Sequence, residues 1–269
     1  MSADRSKKAP HKKATPRNRQ KPDYRKERPE EIQIFGLHAA EAVLNNPKRQ
    51  ILSATMTENA AKKLAPQLRE RDLEPEKATP KQLDRKLGAD TVHQGVFLEC
   101  EPLPEPDLDD LIVAAGEGRP LIVLDQVTDP HNVGAILRSG AVFGCGGLIM
   151  TRRNSPPLSG VLAKSASGGL EYVPVHLATN LARALTSLKD AGVVTIGLDG
   201  EAETTLHTGI EQKHPTALVL GAEGKGLRQL TKETCDQLCR IETTGALASL
   251  NVSNAAAIAF HLFAMNRSE

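Results

Sequence analysis

Three stretches of the chain hold residue types at spacings that could do chemistry. The first runs from Asp125 to Arg138, through Asp129-Pro130-His131-Asn132, directly after an apolar run. Asp129-Pro130 starts a turn, Asn132 is placed to cap a following helix, and Arg138 falls in that helix's first turns. Read as a cap with a surface arginine the stretch needs no function, while read as a site it offers a guanidinium to an anion. The second is Gly221-Ala222-Glu223-Gly224-Lys225-Gly226-Leu227. Its glycines permit positive φ and close approach of a ligand to the backbone, yet it matches neither a Walker loop nor the dinucleotide fingerprint, and a tight turn is the competing reading. Glu223 either caps the next helix or receives a cation. The third is Ile241 to Ala255, with Ser249-Leu250-Asn251-Val252-Ser253 at its centre. Ser249, Asn251 and Ser253 can cap the last helix, whose N-terminus is also an anion site. No triad, paired-carboxylate set or metal cluster emerges elsewhere, so no metal is expected. Cys100, Cys145, Cys235 and Cys239 match no metal or disulfide spacing, and Cys235 and Cys239, four apart, read as inert buried thiols on one helix.

The elements that must position these stretches are legible as two sets. Ile32–Phe35 and Gly36–Leu44 read as a strand entering a helix. A strand at 51–56, helical stretches at 60–70 and 81–87, and a strand at 95–100 follow, together a small α/β unit. Pro102, Pro104 and Pro106 then forbid helix and favour an extended linker, taken as 102–118. Beyond it, Leu121–Leu124, Leu148–Met150, Val193–Ile196 and Ala217–Leu220 are continuous apolar runs, the mark of a parallel sheet covered on both faces. Ligands of such sheets sit beyond the carboxyl ends of the strands, where the first two stretches lie. The last helix, Asn251 to Met265, is apolar nearly all round, which suits a core or a subunit contact.

Composition narrows the classes. The 269 residues carry a net charge of +1, but residues 1–28 hold eleven Lys/Arg against three Asp/Glu, leaving an acidic body behind a basic tail. The tail over 1–31 is expected to be disordered when free and to bind polyanions, with a solubilising extension as the plainer reading. No apolar run approaches the ~20 residues of a membrane-spanning helix. With no secretory h-region either, a soluble chain in the reducing cytoplasm is expected. Aromatics make 3% with no Trp, which argues against an aromatic platform for single-stranded RNA.

Taken together and in this order, the three stretches resemble the motifs of the SpoU family of RNA ribose 2′-O-methyltransferases, in the SPOUT superfamily. Asn132 and Arg138 match the first motif, Gly221 to Leu227 the second and Ser249 to Ser253 the third. Gly36-Leu37-His38 through Val43, and Gln94-Gly95-Val96, resemble the family's small RNA-binding domain. The resemblance implies an α/β fold with a trefoil-knotted methyltransferase domain at 119–269 and a substrate-binding domain at 32–101. It implies S-adenosylmethionine as cofactor and a homodimer with the site near its interface. It further implies methylation of a guanosine ribose in 23S rRNA or a large-subunit precursor, with a tRNA enzyme or a non-catalytic ribosome-assembly factor as alternatives. Carried over by position, Leu220, Gly221, Ile241, Leu250 and Asn251 would contact the cofactor. Asn132, Glu223, Ser249 and Asn251 would form the polar site, with Arg138 central to catalysis. Where the family commonly has proline after the isoleucine of the third motif, this chain has Glu242.

Overall fold

The computed structural model describes residues 31–209, 214–245 and 250–266. Residues 1–30 of the expected tail, and Ser249, lie outside the described residues. The first part runs β1 (Ile32–Phe35), α1 (Leu37–Asn45), β2 (Ile51–Met56), α2 (Glu58–Lys63), α3 (Ala65–Glu70), β3 (Glu76–Lys77), α4 (Pro80–Leu87) and β4 (Val96–Cys100). The second runs α5 (Leu108–Gly116), β5 (Leu121–Asp125), α6 (Pro130–Val142), β6 (Gly147–Thr151), α7 (Gly160–Ser165), β7 (Val175–Ala178) and α8 (Leu181–Asp190). It continues through β8 (Val194–Leu198), β9 (Thr204–Thr205), α9 (Leu206–Gly209), β10 (Thr216–Gly221), α10 (Gln229–Thr234), β11 (Gln237–Arg240) and α11 (Val252–Asn266).

Each part has its own sheet. The first, ordered β1-β4-β2-β3, is mainly antiparallel. The second, ordered β7-β6-β5-β10-β8-β11-β9, is parallel throughout. The apolar runs are continuous because both faces of this sheet are covered. Ile122, Leu124, Leu148, Met150, Leu218 and Leu220 join one core with α6, α7 and α11. Their neighbours Leu121, Val123, Ile149, Ala217 and Val219 join another with α5 and α8. Alternation of side chains across the pleat sends one strand into two cores.

Three local expectations are corrected. The stretch expected as one helix at 60–70 is two, because Pro66 has no N–H to donate and opens a new helix at α3. The proline stretch is extended to Asp107, as expected, but the span 102–118 taken as linker is not linker throughout. From Leu108 it is helix, where Asp110 accepts from the Asp107 N–H and Leu111 and Ala115 enter the sheet's core. Cys235 and Cys239 share no helix: Cys235 follows the end of α10 and Cys239 lies in β11. All four thiols are free and buried, and burial pushes Cys100, Cys145 and Cys235 up to about 12.

The two parts are packed together. Arg49 and Glu171, both buried, form a two-pronged ion pair, Nη2 to Oε1 at 2.7 Å and Nε to Oε2 at 3.1 Å. Asn46 Nδ2 donates to the same carboxylate and Arg49 Nη1 to the Glu101 carbonyl, so each guanidinium nitrogen and each carboxylate oxygen has a partner. Gly168 and Gly169 make the approach possible. A Cβ on Gly168 would meet Ala42 Cβ at 2.6 Å, and one on Gly169 would meet the Arg138 N at 2.9 Å. The chain therefore turns between α1 and α6 where no side chain fits.

Candidate active site

Strand order places the site. β5 is followed by β6 on one side of the large sheet, while β10 flanks β5 on the other, so the loops after β5 and β10 meet at a switch point. The loop after β5 leaves through Gln126, a non-glycine residue at φ 59°. It enters α6 with Asp129 as the cap, accepting from the His131 N–H at 2.9 Å, and with Pro130 in the first turn. Asn132 is therefore not the cap expected from its type. It sits inside the first turn, buried, and its Oδ1 faces the start of α11.

Asn251 is the hub. Its Oδ1 accepts from the N–H groups of Ser253 and Asn254, capping α11, while its Nδ2 donates to Asn132 Oδ1 at 3.0 Å and to Glu223 Oε1. One amide thus joins all three motifs, using its acceptor for the helix and both its donors for the other two loops. Glu223 caps no helix in this arrangement, and among the described residues its other oxygen has no partner.

The glycine loop folds on itself. Ala222 and Gly226 form an antiparallel bridge, and a Cβ on Gly221 would meet Gly226 C at 2.1 Å. The space on the Cβ side of Gly221 is therefore filled by the loop's own backbone, which is why no side chain fits at this position. Two residues not singled out by type fix this loop. Asp125, fully buried at the end of β5, accepts from the Arg228 N–H at 3.0 Å and from its Nε at 2.7 Å. An acid closing an otherwise apolar strand, with an arginine just past the glycines, was the readable signal. Leu220 lies buried in β10, Ile241 is partly exposed directly after β11, and Leu250 is 42% exposed just before α11.

Arg138 stands apart. Six helical residues turn it by about 240° from Asn132 and carry it some 9 Å along α6. It is exposed and, among the described residues, has no hydrogen-bond or ion-pair partner. It opens instead on a cleft of about 520 Å³ between α1, α6 and the turn after α7.

Residues 119–261 match the model of the SpoU rRNA methylase family, and residues 33–106 match RNA 2′-O ribose methyltransferase substrate binding. The chain belongs to the SpoU rRNA methylase family. Its SpoU methylase stretch contains Asn132, Arg138, Glu223 and Asn251. The 23S rRNA (guanosine-2′-O-)-methyltransferase RlmB of Shewanella oneidensis is 39% identical, over 84% of this chain and 93% of that protein. The RlmB of Pseudomonas aeruginosa is 40% identical, over 84% and 92%. Among solved structures, the SpoU methyltransferase AviRb from Streptomyces viridochromogenes covers 88% of this chain and 90% of its own, at TM-score 0.72 and 22% identity, a likeness of fold. AviRb has also been crystallised with AdoMet. Among the described residues no helix is long and apolar enough to cross a membrane.

Proposed function

We propose that the chain is an S-adenosylmethionine-dependent RNA 2′-O-methyltransferase that modifies a guanosine ribose of 23S rRNA. The observation that carries this is near-40% identity to RlmB proteins along both the substrate-binding and the methylase stretches. The cofactor fits the residues present. Backbone of three adjacent strand ends, the apolar Ile241 and Leu250, and the free Glu223 oxygen suit an adenosyl group carrying a cationic sulfonium. When bound, S-adenosylmethionine supplies a methyl already activated on sulfur.

The chain's own work is holding and aligning. Asn251 fixes the three loops in register, and Ser249, outside the described residues, is the further polar residue that the family motif assigns to the site. Because a guanidinium keeps its proton, Arg138 serves by gripping the phosphate beside the target and polarising the 2′-hydroxyl. That grip sets the ribose oxygen in line, the alignment that makes transfer fast.

The reading extends to assembly. Residues 32–101 bind substrate and 119–269 carry the knotted methyltransferase domain. The enzyme is a cytoplasmic homodimer, supported by apolar side chains exposed on α6 and α11, Val142, Ile258 and Met265. Arg138 and the Asn251 hub face different ways on one chain, so each site takes its arginine from one protomer and its cofactor loops from the partner. The basic tail adds salt-sensitive affinity for RNA.

The test is transfer of labelled methyl from S-adenosylmethionine to RNA of a strain lacking this gene, with rRNA and tRNA separated. Label at a guanosine 2′-oxygen of 23S rRNA is expected. Label in tRNA alone, or in no RNA or ribosomal precursor particle, overturns the reading.

A further inference from the structure

The cleft beside Arg138 is built from both parts of the chain: Glu41 and Asn45 on α1, Arg138 on α6, and Ser167 and Tyr172 around the turn after α7. Its shape is set by contacts already made. Gly168 and Gly169 seat that turn against α1 and α6, and the buried Arg49–Glu171 pair anchors the residue next to Tyr172. At about 520 Å³ it falls within the size range of small-ligand pockets, large enough for one nucleotide.

Two features suit the entry of a base. Tyr172 is 64% exposed beside a polar wall, the kind of flat face on which an unstacked base lies. One such face serves a single base and is not the aromatic platform that the composition argues against. Glu41 is half-exposed; its Oε1 accepts from Gln67 Nε2 at 3.3 Å on the side of α3, and its Oε2 lies 3.9 Å from His38 Nδ1 on the cleft wall, a long contact that an entering base edge displaces. A carboxylate repels phosphate, so in an RNA cleft its use is at a base edge. Among the four RNA bases only guanine presents two adjacent donors, N1–H and N2–H, on its Watson–Crick edge, matching the two acceptors of a carboxylate. Adenine and cytosine would place a lone pair against one of those oxygens.

We infer that this cleft receives the base of the target guanosine, with Tyr172 stacking on it and Glu41 reading its N1–H and N2–H edge, while Arg138 holds the backbone. The inference rests on the methyltransferase reading and adds to it the residues that select the base. A site built on paired hydrogen bonds rejects an analogue that leaves one unmade, which gives the test its contrast.

The experiment uses the full chain and a fragment of 23S rRNA carrying the methylated nucleotide, ligated with guanosine, inosine or adenosine at that one position. Inosine lacks the 2-amino group alone. The wild-type chain is expected to prefer guanosine over inosine by at least tenfold in kcat/KM. Glu41→Gln should lower guanosine turnover at least tenfold and narrow that preference to about twofold, with S-adenosylmethionine affinity unchanged. Tyr172→Ala should raise KM about tenfold, and Tyr172→Phe should restore it. Wild-type preference retained in Glu41→Gln, or Tyr172→Phe as impaired as Tyr172→Ala, overturns the inference while leaving the methyltransferase reading intact. A wild-type chain that methylates none of the fragments overturns both.

Discussion

The hub at Asn251 and the cleft at Arg138 both draw on α6, through Asn132 and Arg138, yet they are opposites in how their polar groups are spent. Around Asn251 the amide's donors and acceptor are all used, and Asn132 is buried beneath it. Around Arg138 a guanidinium and an exposed tyrosine stand with their polar groups turned to solvent. The first arrangement holds loops in place, and its loss registers as instability. The second holds nothing in the free chain, and its loss registers only when substrate is present.

The largest effect that could break this contrast concerns Arg138. Arg138→Ala should cut methyl transfer by about 10²–10³-fold, the scale for removing one charge-stabilising group, while the thermal midpoint stays within a degree. A large drop in that midpoint would show that Arg138 is a structural residue after all. Glu171→Ala should do the reverse. It leaves Arg49 buried without its partner, at a cost of about 3–5 kcal/mol in urea unfolding. Asn251→Ala comes next. It removes the α11 cap and strands Asn132, for a loss of about 2 kcal/mol with reduced transfer. The smallest effect concerns the thiols, which burial keeps protonated. A thiol reagent at pH 8 should find none of the four cysteines until denaturant is added, and rapid labelling of the native chain would contradict their burial.

Much of the architecture was legible because it rests on long, strong patterns. Strands covered on both faces are unbroken apolar runs, and β5, β6, β8 and β10 lie where those runs are. The misreadings fall where a residue's type fits several roles and only tertiary neighbours choose. Asn132 is a good cap by type, but Asp129 followed by Pro130 fits the helix start better and releases Asn132 to meet Asn251. Cys235 and Cys239 have helical spacing across a helix end. That the loop's own backbone fills the space on the Cβ side of Gly221 is likewise a matter of tertiary neighbours and not of the glycine spacing. The separation of Arg138 from the hub follows from helix geometry alone, and the cleft it opens on depends on a packing between the two parts that no local pattern encodes.

We propose that these two regions complete one site across a dimer, and a mixed dimer tests it. Arg138→Ala and Glu223→Ala chains, each inactive alone, are co-expressed with different tags and the heterodimer is purified and assayed for methyl transfer. One of its two sites then pairs an intact Arg138 with intact cofactor loops, so about half the wild-type activity per dimer should return. A heterodimer no more active than either parent would place both regions of each site on a single chain and contradict the account.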